Sequence, residues 1–502
     1  MKKILSLMLA LALILGVASF SSAEEEPMVI TVFGQDIGTG EATLTNEEGY
    51  FPSWAALEEK FNVDFQFNVS SSYGDTIGTR LAAGSNLEDI FNIGYNGLRQ
   101  YVAEGLFKDL TDLIAEYAPN LSAFYEENPS GRSYNCVDGR QYAISESEYY
   151  FKDLGDVFTW YIRQDWLDQL NLEMPTTLDE LYDTLIAFQN AGIGGGAPVI
   201  TAGHYSYIVN LFGNYFGLRT MYEDGIDVDE NGKVIFGKAT EEYKDLLKFL
   251  NKLYTSNLID PLFPNNNDAS ATEVIANGNA ALFPWYANSV NGFLPYYQAT
   301  DPNATISIMG VLEGPNGVKK QFGCANEWKR WIIPASVSDE KAIRIIQILD
   351  YILATEEGRN LVWYGVEGET MRYDEDHIPY IIPEIDDNTL SNMGVRVYGC
   401  LPMVYCEMTK YHEWAFDSYN QTLALASDMS EGLFFVKNSP SKEIEDMITK
   451  PDMDTYIGEM EIAFIMGKED IDEKWDEYIA KLYELGLEEK IEGLQMQYDA
   501  TK

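Results

Sequence analysis

The sequence predicts an α/β protein with at least two packed lobes. Short β-branched runs alternate along the chain with stretches in which apolar residues recur at helical spacing. The chain has 502 residues, of which 46% are hydrophobic and 13% aromatic, so it can form more than one core. No internal repeat or low-complexity linker divides it, which favours two interleaved lobes over two separate domains.

The first residues have the pattern of a signal peptide. Two lysines precede a mostly apolar run, residues 4–17, and small residues follow as far as Ala23. We expect cleavage after Ala23 and a secreted mature chain. No later stretch approaches about 20 consecutive apolar residues, so no transmembrane helix is expected.

The mature chain begins with alternating strand and helix patterns. Strands are predicted at 29–33, 63–69 and within 84–93, with helices at 54–61 and 76–83. The first strand ends in a polar loop. In open parallel sheets such loops collect ligands at the carboxyl ends of the strands.

The segment from Val157 to Gly192 has the densest local signals. Residues 158–163 are aromatic and β-branched, which predicts a strand, and residues 163–170 predict a short helix. After Pro175 a new helix is expected, because Thr177 and Glu180 have the spacing at which each side chain satisfies a free backbone N–H.

This segment carries the sequence Tyr-x-Arg-x-Asp-Trp-Leu from Tyr161, followed by Pro-Thr-Thr-Leu-Asp-Glu-Leu from Pro175. It resembles extracellular solute-binding proteins that feed carbohydrate ABC importers. Residues 84–120 and the Tyr-Gly-Val-Glu-Gly turn in residues 364–373 are similar to the same family. The resemblance implies a two-lobed periplasmic-binding-protein fold of type II, in which each lobe is a sheet flanked by helices and the ligand cleft lies between them.

The resemblance also implies where the chain passes between lobes. The expected divisions are a signal peptide at 1–23, the first lobe at 24–148, the second at 149–322, a return to the first at 323–366, and a helical second-lobe part at 367–502.

The implied function is capture of an oligosaccharide by lobe closure and its delivery to the permease subunits of an ABC transporter, by a monomer. Two alternatives stay open. One is a secreted glycan hydrolase or lyase, and the other is the same fold binding a peptide, a polyamine or another small solute.

Aromatic side chains in or beside the predicted strands are the candidate ligand contacts, because sugars stack their C–H faces on rings while polar side chains bind the hydroxyls. The candidates are Glu146, Trp160, Arg163, Trp285, Tyr286, Asn326, Trp328, Trp331 and Tyr364.

Charge and motif content restrict the other possibilities. The formal net charge of −46 repels nucleic acid and argues against it as a partner. None of the four cysteines lies near the cleavage site, so the chain lacks the lipobox cysteine typical of similar lipoproteins, and it is assigned to the cell surface or the periplasm. Cys400 and Cys406 are compatible with a disulfide or with free thiols.

Neither a metal, nor a cofactor, nor catalysis is expected. Residues 227–232 begin like a calcium loop, but Lys238 occupies the position that requires a bidentate glutamate, so a hairpin is predicted. The chain has only three histidines, none near a Gly-x-Ser-x-Gly turn, and it lacks a phosphate-binding loop.

Overall fold

The computed structural model describes residues 26–35, 51–94, 97–127, 129–147, 158–196, 199–220, 225–286, 290–322, 327–375, 377, 379–385, 389–390, 393–395, 429–430 and 441–500.

The strands are β1 (Met28–Gln35), β2 (Val63–Ser70), β3 (Phe91–Ile93), β4 (Cys136–Val137), β5 (Arg140–Gln141), β6 (Ile144–Ser147), β7 (Phe158–Arg163), β8 (Val199–Ile200), β9 (Ile226–Val228), β10 (Val234–Phe236), β11 (Ala280–Tyr286), β12 (Ile306–Ile308), β13 (Gln321–Phe322), β14 (Glu327–Ile332), β15 (Met371–Tyr373), β16 (Pro379–Ile381) and β17 (Met429–Ser430).

The helices are α1 (Pro52–Phe61), α2 (Tyr73–Ala83), α3 (Leu98–Ala103), α4 (Thr111–Tyr117), α5 (Pro119–Glu127), α6 (Pro129–Tyr134), α7 (Gln164–Leu170), α8 (Leu178–Asn190), α9 (Tyr205–Tyr215), α10 (Glu241–Thr255), α11 (Asp268–Ala276), α12 (Val290–Gln298), α13 (Asp339–Ala354), α14 (Glu356–Tyr364), α15 (Lys442–Ile448), α16 (Pro451–Ile465), α17 (Ile471–Glu484) and α18 (Leu487–Asp499). Short 3₁₀ turns occur at Gly194–Gly196, Gly237–Ala239, Phe263–Asn265 and Pro315–Gly317.

The first lobe is built on β1, β2, β3, β14 and β6. β1 pairs in parallel with β2, and a single β-bridge joins Val32 of β1 to Ile90, the residue before β3. β14 lies between β3 and β6. Adjacent residues Val32 and Phe33 are both fully buried, as expected of a parallel strand that is covered on both faces. Helix α13 packs along this sheet and supplies much of the core.

The second lobe is built on a sheet with the order β12-β7-β11-β8. Every residue of β7 is buried, and β11 runs antiparallel to it. The C-terminal helices α16 and α17 return to this lobe, since Met453, Phe464 and Trp475 belong to the same hydrophobic core as β7.

The chain passes between the lobes at least twice in the described residues. β6 lies in the first-lobe sheet and β7 in the second, so one passage falls between residues 147 and 158. Gln321 donates from Nε2 to the carbonyl of Phe158 at 2.8 Å, whereas β14 is back in the first lobe, so another falls between 322 and 327.

The β15–β16 hairpin and Gly394 pack on first-lobe elements. The hairpin contacts α14, and Gly394 lies against Phe51. The turn before the hairpin folds back on itself, since the Thr370 hydroxyl donates to the Tyr364 carbonyl at 2.8 Å. The division of residues 367–502 between the lobes stays a prediction.

The capped helix after Pro175 is confirmed, with one difference. The Thr177 side chain accepts the N–H of Glu180 at 3.1 Å, as predicted. The Glu180 carboxylate, however, accepts the N–H and hydroxyl of Thr176 at 2.8 and 2.7 Å. The N-cap residue is therefore Thr177, as predicted, while the Glu180 carboxylate binds the residue before it.

The Asp-rich turn near residue 229 is the predicted hairpin. Asp229 accepts the backbone N–H groups of Asn231 and Lys233 at 2.9 and 2.8 Å and so closes the β9–β10 turn. Among the described residues, no group of three or more His, Cys, Asp or Glu side chains is arranged to hold a metal ion. None of the described helices has the length and apolarity to cross a membrane.

Candidate functional site

Partly exposed aromatic rings cluster at one end of the second-lobe sheet. We call this cluster the aromatic patch and define it as Tyr207, Trp285, Tyr286, Phe293 and Tyr296. Tyr296 is the most exposed of the described large rings in this cluster, with 46% of its surface accessible. The other four rings are partly buried. Clustered apolar surface of this kind is typical of binding sites, so the patch is the candidate site.

The register of the sheet explains the position of the patch. Trp285 lies opposite Thr159 and Tyr286 opposite Phe158, so both end β11 where β7 begins. β7 begins directly after the passage from the first lobe, and Gln321, beside the second passage, bonds to the Phe158 carbonyl. The patch therefore lies at the end of the second lobe where the chain enters from and leaves to the first lobe.

The rings of the patch hold one another in place. The Trp285 ring stacks on buried Phe283 at 5.9 Å with an interplanar angle of 12°, and its centroid lies 5.2 Å from Phe293 and 6.5 Å from Tyr207. The hydroxyl of buried Tyr161 donates to the Tyr286 carbonyl and fixes the end of β11. Such a preformed surface loses little conformational entropy when it binds a ligand.

Polar groups border the patch at the start of α9. His204 is exposed and caps this helix, because its Nδ1 accepts the N–H of Ser206 at 3.2 Å. Burial raises the pKa of the Tyr207 hydroxyl, and the negative charge of Asp268 adds to this increase. Burial, reinforced by the Glu461 carboxylate, raises the pKa of Tyr205 to about 12. Both tyrosines are neutral hydrogen-bonding groups at physiological pH.

Two of the sequence-predicted candidates lie in the second-lobe core instead. Trp160 is fully buried, with its ring 4.8 Å from that of Phe212. Arg163 is 2% exposed, and its guanidinium bonds to Asp165 at 2.8 and 2.6 Å and to Asp301 at 3.2 Å. Neither side chain presents a ring face or an N–H group to solvent in this structure.

The first-lobe candidates are placed differently. Trp331 and Tyr364 are 1% and 2% exposed, so they too are packed inside the protein. Glu146 and Trp328 belong to β6 and β14, but their side chains are outside the described part of the structure, as is Asn326 as a whole. Of the nine candidates, the structure brings Trp285 and Tyr286 together on a partly exposed surface.

Sequence reasoning missed Tyr207, Phe293 and Tyr296. The closely spaced aromatic residues in Tyr205-Ser-Tyr207 and in Phe293-Leu-Pro-Tyr-Tyr297 were the sequence feature that could have identified them. Helical periodicity identifies one face of each helix, but only the tertiary structure brings α9 and α12 to the end of β11.

Comparison with known proteins identifies relatives, and the chain spans between half and three fifths of the length of the two described here. Residues 42–358 match the family described as bacterial extracellular solute-binding protein. The polygalacturonan/rhamnogalacturonan-binding protein YtcQ of Bacillus subtilis is 28% identical over 312 residues, which are 60% of this chain and 59% of YtcQ. The fructooligosaccharide ABC transporter substrate-binding protein FusA of Streptococcus pneumoniae is 27% identical over 52% of this chain and 50% of its own length.

Solved structures extend the likeness to nearly the full chain. The alginate-binding protein AlgQ2, solved without calcium ion, superposes with a TM-score of 0.72 at 22% identity and covers 95% of this chain and 98% of its own. FusA in complex with kestose gives a TM-score of 0.71 at 20% identity over 94% and 99%. These matches confirm the two-lobed fold, and with the family match over more than half of the sequence they place the chain among the bacterial extracellular solute-binding proteins.

Proposed function

We propose that this chain binds an oligosaccharide between its lobes and delivers it to the permease of an ABC importer. The observation that carries the proposal is the aromatic patch, which lies where the chain passes between lobes. Planar rings such as Trp285 stack on the C–H faces of sugars, and neutral hydroxyl groups such as that of Tyr207 bind sugar hydroxyls. The names of FusA and YtcQ show that members of the family bind saccharides.

Lobe closure captures the ligand before its delivery to the permease. An oligosaccharide held by the patch and by the facing surface of the first lobe contacts both lobes only when they are closed. This difference in contacts stabilises the closed form, and a ligand shifts a conformational equilibrium only by such a difference in affinity. Glu146, Asn326 and Trp328 remain the proposed first-lobe contributors on sequence grounds.

We further propose that the protein acts without catalysis, as a secreted monomer that does not bind nucleic acid. The family consists of solute-binding proteins, and the net charge of −46 repels a polyanion. Export by cleavage after Ala23 is consistent with the extracellular family.

Isothermal titration calorimetry with a panel of oligosaccharides tests the proposal. We expect Tyr296→Ala to weaken binding several-fold, because the ring is accessible and belongs to the patch. Tyr483→Ala is the matched control, since Tyr483 is 55% exposed on α17, away from the patch. If both variants and the wild type bound with equal affinity, the patch would not be part of the binding site. If the protein bound only amino acids or polyamines, the proposal that its ligand is an oligosaccharide would be refuted.

A further inference from the structure

Asp268, the first residue of α11, is a charged group near the start of the helix that carries Tyr207 of the aromatic patch. Its carboxylate lies against Gly203 so closely that a Cβ added to this glycine would be 1.8 Å from Oδ1. Gly203 precedes His204, the cap of the helix that carries Tyr207, and the charge of Asp268 acts on the Tyr207 hydroxyl. Asp268 is exposed, and within the described part of the chain its carboxylate forms no hydrogen bond or ion pair.

The arginines of the same lobe that lie near β7 and β13 are already engaged. Arg163 is buried between Asp165 and Asp301. Arg219 bonds to Asp227 at 3.0 Å and covers the Phe322 ring at 4.6 Å. Neither guanidinium is available to an anionic ligand. Lys320 is exposed, with its ammonium 5.6 Å from the Phe322 ring.

We propose that the ligand on the aromatic patch is an uncharged oligosaccharide, and that the Asp268 carboxylate accepts hydrogen bonds from its hydroxyl groups. The inference rests on the proposed function and specifies its substrate class. The proposed ligand differs from those of YtcQ and AlgQ2, whose names refer to acidic polysaccharides. It is of the same uncharged class as the fructooligosaccharide named for FusA.

The physical reason is the different response of the two sugar classes to a carboxylate. A hydroxyl group donates to a charged acceptor in a short, strong hydrogen bond. A uronate brings a second negative charge close to Asp268, and at about 6 Å in a partly solvated site this repulsion is expected to weaken binding roughly tenfold.

The first test titrates the wild-type protein with neutral oligosaccharides (fructo-, malto- and xylo-oligosaccharides) and with oligogalacturonates and oligoalginates of equal length. We expect a neutral glycan to bind with an affinity that hardly depends on salt. The uronates should bind about tenfold more weakly or worse, and should gain affinity as salt screens the repulsion.

The inference would be overturned if a uronate bound more tightly than every neutral glycan and if salt weakened that binding. The proposed function would remain intact. Loss of that uronate binding in Lys320→Met would identify the cation responsible. Absence of binding to any glycan would refute the proposed function, and the inference with it.

The second test replaces Asp268→Asn, which keeps the size of the side chain and removes the charge. Binding of the neutral glycan should fall about tenfold, because the charge-assisted acceptor is lost. Glu273→Gln, exposed on the same helix, makes the same charge change away from Gly203 and should leave the affinity unchanged. An equal loss in both variants, or none in Asp268→Asn, would exclude Asp268 as a ligand contact.

Discussion

Replacing Arg163 with methionine separates a structural arginine from a ligand-binding one. The Tyr-x-Arg-x-Asp-Trp-Leu sequence made Arg163 a natural ligand candidate, but its guanidinium is 2% exposed and lies between Asp165 and Asp301. It also covers the Trp166 ring at 4.3 Å. Methionine keeps the length of the apolar stem, so the substitution removes the charge and the fork of N–H donors but most of the packing remains.

The expected cost follows from the exposure of the partners. Breaking a fully buried ion pair costs about 3–5 kcal/mol, mainly because the remaining charge loses its partner. Here Asp165 and Asp301 have side-chain exposures of 21% and 44%, so water compensates part of this loss. We therefore expect a decrease of about 2–3 kcal/mol in the free energy of unfolding of the second lobe.

Thermal unfolding followed by circular dichroism measures this decrease. For a lobe of this size, each kcal/mol lowers the midpoint by about 2–4 °C, so a decrease of several degrees is expected. Arg140→Met is the control, since Arg140 forms exposed ion pairs with Asp109 and Asp112 and should change the midpoint far less. A normal midpoint for Arg163→Met, combined with lost ligand affinity, would refute the structural role.

The remaining predictions concern a helix cap, a tyrosine and catalysis. Thr177→Ala should lower the free energy of unfolding by about 1 kcal/mol in urea titrations, because the N–H of Glu180 loses its acceptor; an unchanged midpoint would contradict the cap. The pKa of Tyr205 is raised to about 12 in the folded state, so the unfolded chain ionises first, and stability should fall between pH 10 and about 12. Tyr205→Phe should reduce this alkaline loss, and an unaltered pH profile would count against it. Incubation of the pure protein with its glycan should yield no hydrolysis or lyase products by chromatography, and product formation would make the chain an enzyme.

The local signals of the sequence were reliable where one element determines its own structure. The strand at Phe158–Arg163, the capped helix α8 and the β9–β10 hairpin all follow from residue type and spacing. The end of β11 was also predictable, because Trp285 and Tyr286 follow an apolar run. These signals sufficed to name Trp285 and Tyr286 as candidates, and the structure brings them together on one partly exposed surface.

The sequence could not show that the aromatic rings of β7 lie in the core while those at the end of β11 are partly exposed. Strand β7 lies between β12 and β11 and is covered by helices, so both of its faces are buried and alternation carries no information. Trp160 therefore resembles Trp285 in sequence, yet it packs on Phe212 in the core. Likewise, Arg163 gives no sign in sequence of its pairing with Asp301, which lies 138 residues later.

The contributions of Tyr207 and Phe293 depend on tertiary structure. Each lies on a helix whose own pattern is satisfied by packing against the second-lobe core. Only the approach of α9 and α12 to the end of β11 brings their rings within 6.5 Å and 5.2 Å of Trp285. Sequence periodicity describes faces of single elements and does not reveal which faces meet.

The most direct test of the central claim is the intrinsic tryptophan fluorescence of residues 24–502 during titration with neutral oligosaccharides, compared with Trp285→Phe. Phenylalanine preserves an aromatic ring against Phe283 and Phe293 but removes the reporting indole. We predict a saturable fluorescence change in the wild type that is largely lost in Trp285→Phe, although calorimetry still detects binding. An undiminished fluorescence change in the variant, or no response of the wild type to any glycan, would contradict an oligosaccharide site on the aromatic patch.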